Sequence, residues 1–190
     1  MTTMTQVRRQ WRKCKRCGLW KTRDNYVHGR GDPITRILFV GEGPGRDEDV
    51  VGLPFIGKAG RLLQAALIAS GIKGARYIAN LVGCWPPGNR VPTQEEVKAC
   101  EPRLNSIIRA MRNLRVVVPL GGTAALYLLS ARHITRTRGI LHEFERGGKT
   151  LIGIPTFHPS HVDRTGGING PNFPLLVKDL KMALKEASDA

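Results

Sequence analysis

Four short apolar runs, rich in β-branched residues, punctuate the chain at 36–40, 77–82, 115–120 and 151–157. Each is apolar at nearly every position instead of at alternate ones, the pattern of a strand buried on both faces. Segments of helical period lie between them. Residues 60–70 carry Leu62, Leu63, Ala66 and Leu67 on one face and stop at Gly71, a residue suited to the turn just past a helix end. Residues 93–111 open with Thr93 and Glu96 at capping-box spacing. Residues 123–130 form a shorter helical segment. In 173–187, Leu176, Leu180, Ala183 and Leu184 share a face. Strands alternating with helices predict an α/β fold, a parallel sheet covered on both sides in three α/β/α layers.

Length and charge narrow this picture. The 190 residues are 41% hydrophobic and 24% charged, the profile of a globular chain with its own core. A single domain over 1–190 is expected. No apolar run reaches membrane-spanning length. Residues 1–20 are basic and contain no apolar stretch of the kind that directs secretion, so a cytoplasmic monomer away from membranes is expected. The formal charge of +15 points to a polyanionic partner, because cationic surfaces raise affinity for phosphate backbones. Eight Lys and Arg fall within the first 23 residues, with no acid among them. Such a block is often a solvated tail that touches nucleic acid. Cys14 and Cys17, inside the basic segment 1–30, argue that it is pinned to something.

Ligands of open parallel sheets bind beyond the C-terminal strand ends. The first run is followed by Gly41-Glu42-Gly43-Pro44-Gly45, then Asp47-Glu48-Asp49 and Gly52-Leu53-Pro54-Phe55-Ile56-Gly57. The second contains Asn80 and leads into Cys84-Trp85-Pro86-Pro87-Gly88-Asn89-Arg90. The third leads to Gly121-Gly122-Thr123, the fourth to His158-Pro159-Ser160-His161. A carboxylate, an amide, a glycine-lined helix start and an imidazole should therefore converge on one edge. The Gly-rich turn lacks the third glycine of a dinucleotide fingerprint and the Gly-Lys-Ser/Thr of a phosphate loop.

The cysteines form a close pair and two singles: Cys14, Cys17, Cys84 and Cys100. With no secretory leader this spacing reads as a metal site and not as two disulfides. All-thiolate ligation leaves an iron–sulfur cluster or zinc. A zinc ribbon would usually show a second close pair, which makes zinc the weaker of the two.

Together these residues resemble the family 4, iron–sulfur branch of the uracil-DNA glycosylases, nearly end to end. The Gly-Glu-x-Pro-Gly turn with its following acids, the Gly-x-Pro-Phe-x-Gly-x-Ala-Gly stretch, the Asn-x-x-x-Cys-x-Pro-Pro-x-Asn-Arg segment and Thr-Phe-His-Pro stand at 41–45, 52–60, 80–90 and 156–159. The resemblance implies a four-stranded parallel sheet, a four-iron, four-sulfur (4Fe-4S) cluster on Cys14, Cys17, Cys84 and Cys100, and hydrolysis of uracil from DNA in base excision repair. It implies that His158 donates to uracil O2, that Asn80 reads the O4/N3 edge, that Phe55 stacks on the flipped ring and that Glu48 fills the space beside C5. Backbone near Gly43 would touch the base. Glu42 would orient water or offset the sugar cation, and its competing role is to brace loop amides. Ser160 would contact the substrate strand, with Arg90 and Arg164 as candidates for phosphate contacts.

The chain departs from the family pattern in places. Gly43 replaces a usual Ala, Ser160-His161 replaces two Ala, and Gly83 and Trp85 flank the third cysteine where charge is common. Three other functions stay open at this point. One is a weak or inactive DNA-binding accessory to replication or repair. A second is a glycosylase for other deaminated bases. The third is a zinc-stabilised nucleotide-binding domain. A uracil-release assay separates the first two from uracil excision, and the colour of the pure protein bears on the third.

Overall fold

The computed structural model describes residues 2–74 and 76–189. Its strands send alternate side chains to opposite sides of one sheet. In β2 (Ile37–Gly41), Leu38 and Val40 enter one buried cluster while Ile37 and Phe39 enter another. β3 (Tyr77–Asn80) divides Tyr77 and Ala79 from Ile78, and β4 (Val116–Pro119) divides Val117 from Val116 and Val118. With a core on either face, these strands have no solvated side, which is why their sequences do not alternate. β2 pairs in parallel with β3 and β4, and β4 with β6 (Lys149–Gly153).

The sheet differs from the four-stranded parallel one expected. It is mixed and has six strands in the order β1-β3-β2-β4-β6-β5. Two antiparallel strands, β1 (Arg30–Gly31) and β5 (His142–Arg146), close its edges. β5 turns into β6 through Gly147 and Gly148, both at positive φ (62° and 76°), as a two-residue hairpin turn requires. β5 is a polar edge strand with partly exposed residues, so a search for unbroken apolar runs passes over it.

Helices cover both faces. One cluster takes side chains from α1 (Met4–Trp11), α4 (Gln94–Ala110) and α5 (Gly122–Leu129). The other takes them from α3 (Lys58–Ala69), α7 (Pro159–Arg164) and α8 (Asn172–Ser188). Two short helices, α2 (Arg46–Val51) and α6 (Ile134–Thr137), lie in the connections. The capping box predicted at Thr93 and Glu96 is present. The basic N-terminal segment is not a free tail. Thr3 and Gln6 form a capping box, and Met4, Val7 and Trp11 bury at helical spacing in the cluster shared with α4. An eight-residue helix would not persist alone, and each such burial contributes roughly 1.5–3 kcal/mol to holding it in place. Among the described residues no helix is long and apolar enough to cross a membrane.

Candidate active site

The loops after β2, β3 and β6 enclose a cavity of about 380 Å³. Glu42, Gly43, Glu48, Phe55, Asn80, Arg90, His158, Ser160 and Arg164 all line it, so every residue expected around a base or its strand meets at one place. Pro44, Gly45, Ala59, Pro86 and Asn89 complete the wall.

Phe55 is held there under strain. Its φ of 54° lies in the left-handed region that a bulky residue rarely adopts. Two glycines make room for it. A Cβ on Gly41 would stand 2.7 Å from the Phe55 ring and 2.4 Å from Asn80 Oδ1, and one on Gly60 would stand 1.8 Å from the Phe55 carbonyl oxygen. Arg30 donates to that carbonyl at 2.8 Å. The ring faces that of His158 with centroids 5.9 Å apart.

Asn80 ends β3 and is 2% exposed. Its backbone carbonyl accepts from Arg103, but its side-chain Oδ1 is buried without a hydrogen-bond partner. An orphaned buried acceptor costs about 1–3 kcal/mol, which a ligand donor would recover.

His158 caps the N-terminus of α7. Its Nδ1 accepts from the Ser160 amide at 3.1 Å and lies 2.7 Å from Ser160 Oγ. An acceptor at Nδ1 places the ring proton on Nε2. Burial, and then Arg164 and His161, push the imidazole pKa down to about 4, so the ring is a neutral donor at physiological pH. Gly121, at φ 91°, lets the His158 side chain approach, since a Cβ there would meet His158 Cβ at 2.8 Å. Behind the strand end, Asp179 accepts from Thr156 at 2.6 Å and from the fork of Arg138 at 2.6 and 3.0 Å. His161 turns away, its Nε2 meeting Asn172 at 3.3 Å.

The two glutamates differ. Glu48 accepts from the amides of Gly45, Ile56 and Gly57 at 2.9–3.0 Å, tying the first turn to the loop that carries Phe55. Among the described residues the Glu42 carboxylate has no hydrogen bond or ion pair. Bracing of loop amides, the competing role for Glu42, belongs to Glu48 instead.

The two arginines also differ. Arg90 is held in a two-point pair with Glu96 at 2.7 and 2.8 Å, so its charge is already matched. Arg164 has no ion pair among the described residues. At Gly43 a methyl group would stand 3.0 Å from Val82 Cγ2, which suits glycine where the family has alanine. Trp85, a departure from the family, donates to Asn89 at 2.8 Å and carries Arg46 over its ring at 5.1 Å.

The four cysteines line a second, smaller cavity with Leu19, Trp20, Tyr26 and Val82, and none is in a disulfide. Arg23 donates to Cys84 Sγ at 3.1 Å. Burial pushes the Cys17 thiol up and that of Cys84 to about 11. Among the described residues no three His, Cys, Asp or Glu side chains form a group that would hold one metal ion as they stand. The donor set, four thiols around one cavity, fits a thiolate-bound group.

The sequence missed Arg103, Arg30 and Asp179, which touch the site only through backbone or through another side chain. The one signal for Arg103 and Asp179 is a charge on the apolar face of a helix.

The chain is also similar to known proteins. The profile described as "Uracil DNA glycosylase superfamily" matches residues 28–181. The chain is 45% identical over 164 residues to the type-4 uracil-DNA glycosylase of Thermotoga maritima, covering 85% of this chain and 83% of that one. It is 41% identical over 168 residues to the type-4 uracil-DNA glycosylase of Archaeoglobus fulgidus, covering 85% and 84%. To the type-5 uracil-DNA glycosylase of Thermus thermophilus it is 32% identical over 136 residues, covering 64% and 60%. By fold, site and sequence, the chain belongs to the type-4 family of the uracil-DNA glycosylase superfamily.

Proposed function

We propose that the protein hydrolyses the N-glycosidic bond of uracil in DNA and leaves an abasic site for base excision repair. The observation that carries this is the orphaned Oδ1 of Asn80, in the wall of a cavity shared with the Phe55 ring and a neutral imidazole. A carboxamide supplies both the donor and the acceptor that the uracil edge needs, and presents the wrong pattern to cytosine.

In this reading the uracil leaves the base stack, at a cost of a few kcal/mol, and lies against Phe55. The C1′–N1 bond breaks, the sugar gains oxocarbenium character and the base departs as an anion. His158 Nε2–H donates to O2 as the negative charge develops there, an effect worth about 10²–10³ in rate for a single well-placed donor. Glu42, with its carboxylate uncommitted, orients the water that attacks C1′ or offsets the cation. Glu48, fixed by three amides, is a rigid wall beside C5 that leaves no space for the methyl group of thymine. Backbone at Gly43 lies against the base. Ser160 fixes the His158 tautomer through its amide and sits where the strand enters. Arg164 and the arginines of α1, which have no ion pair among the described residues, hold phosphates, and the paired Arg90 contributes less.

Cys14, Cys17, Cys84 and Cys100 would hold a 4Fe-4S cluster. When bound, it cross-links the N-terminal segment to the loop after β3 and to α4, a structural role without redox turnover. Supporting this are the all-thiol donor set and the cations placed beside it. We further read residues 1–190 as one domain acting as a monomer inside the cell, where thiols stay reduced.

The test is release of uracil from a uracil-containing oligonucleotide, followed by alkaline cleavage, with thymine and hypoxanthine controls. Excision confined to uracil is expected. Strand binding without excision would move the protein to a DNA-binding accessory role.

A further inference from the structure

Arg103 lies on α4 and is completely buried, yet no Asp or Glu pairs with it among the described residues. Its Nη1 donates to the His28 carbonyl at 3.0 Å, and its Nη2 to the carbonyls of Asn80 and Leu81. Among the described residues its Nε has no acceptor. Carbonyl dipoles solvate a cation but do not cancel it, and a buried guanidinium with no counter-charge is unstable in a protein interior.

The balancing charge has one evident source. Arg103 follows Cys100 by three residues, so the two side chains lie on one face of α4. Cys100 belongs to the thiol cavity. On its other side, Arg103 meets β3 where the edge strand gives out. β1 pairs only with Tyr77 and Ile78, so the Asn80 carbonyl lies past its reach.

We propose that Arg103 is a positioning residue that couples the two sites. The anionic thiolates of the bound cluster balance the buried guanidinium, and the guanidinium fixes the backbone of Asn80 and so the carboxamide that reads the base. Loss of either end loosens the other. The proposal rests on the cluster and the uracil-binding role of Asn80 set out above.

The experiment compares the iron-loaded protein with its Arg103→Met and Arg103→Lys variants. Three quantities are read: the rate of iron release to a chelator, the dissociation constant for free uracil, and KM against kcat. Arg103→Met removes charge and donors together. It should speed iron release and weaken uracil binding, each by about tenfold or more, with KM rising and kcat largely kept. Arg103→Lys restores the charge but not the fork. Iron release should return toward the unaltered rate while uracil binding stays weak. The Lys variant carries the test alone if the Met variant does not fold. Unaltered iron release and uracil affinity in both variants overturn the coupling, as does faster iron loss with uracil affinity unchanged. Iron missing from the unaltered protein overturns the cluster and the coupling together. Iron present without any uracil release overturns the glycosylase reading instead.

Discussion

The base cavity and the thiol cavity lie on either side of the chain as it leaves β3, at Asn80 and Cys84, and they treat polar groups in opposite ways. Around the base cavity several groups have no partner among the described residues: Asn80 Oδ1 is orphaned, and Glu42 and Arg164 have no ion pair. Around the thiols the walls are apolar apart from Arg16, a guanidinium donates to Cys84, and burial drives Cys17 and Cys84 toward the neutral thiol. The same rule, that buried polar groups must be satisfied, gives two outcomes. A site for a visiting ligand keeps its groups vacant and braces them from behind. A site for a resident group gathers its donors among mostly apolar side chains, with cations beside them that favour thiolates once the group is bound.

The sharpest way to break this contrast is to remove the vacant groups. His158→Ala and Glu42→Gln should each slow single-turnover uracil release by about 10²–10³ with the protein still folded. Near-parental rates in both would take these residues out of the chemistry. Asn80→Asp tests base reading at the same site. Uracil release should fall and preference move toward cytosine, and an unchanged base profile would end that role.

Acid comes next. His158 titrates at about 4 in the folded protein and at its ordinary 6.5 when unfolded. Between these values the unfolded chain takes up a proton that the folded one refuses. Stability is therefore full above pH 6.5 and falls as pH drops toward 4, by ~3 kcal/mol for this group. A His158→Asn variant should show a shallower loss in denaturant titrations. His28, also pushed down to about 4 by burial and then by Arg103 and neighbouring arginines, supplies the slope that remains.

A braced group should behave differently from a vacant one. Glu48→Gln breaks a charge-assisted clamp on three amides and should lower stability by about 2 kcal/mol, whereas Glu42→Gln should not. Equal melting shifts would erase the distinction between them. The smallest effect belongs to the surface. Arg9→Gln, on the outside of α1, and Arg12→Gln, just past its end, should each reduce the salt slope of DNA binding by about 0.9 for every phosphate the arginine neutralises. A slope unaffected by both would remove α1 from the DNA footprint.

Much of this was legible beforehand, for physical reasons. Strands buried on both faces must be apolar throughout, so all four runs lie on strands of the sheet. The Thr93–Glu96 box closed as its spacing requires. Polar residues just past strand ends had to share an edge; those after β2, β3 and β6 meet in one cavity, whereas Gly121, Gly122 and Thr123 after β4 do not line it. The helix α1 was hidden by its own charge. Met4, Val7 and Trp11 carry the helical spacing, but eight cations in the segment mask it. The hairpin of β5 and β6 was missed because an edge strand need not be apolar, although Gly147-Gly148 marks the turn.

By itself, the sequence determined which apolar runs form buried strands, which strand ends carry chemistry and which cysteines pair by spacing, because burial and local spacing leave periodic marks. Only the tertiary structure decided that Glu48 is committed and Glu42 is vacant, that Arg90 is neutralised, and that Arg103 holds the Asn80 carbonyl. Those outcomes depend on which groups far apart in the chain come within hydrogen-bond distance, and a hydrogen bond to a backbone carbonyl imposes no pattern on the residue that offers it.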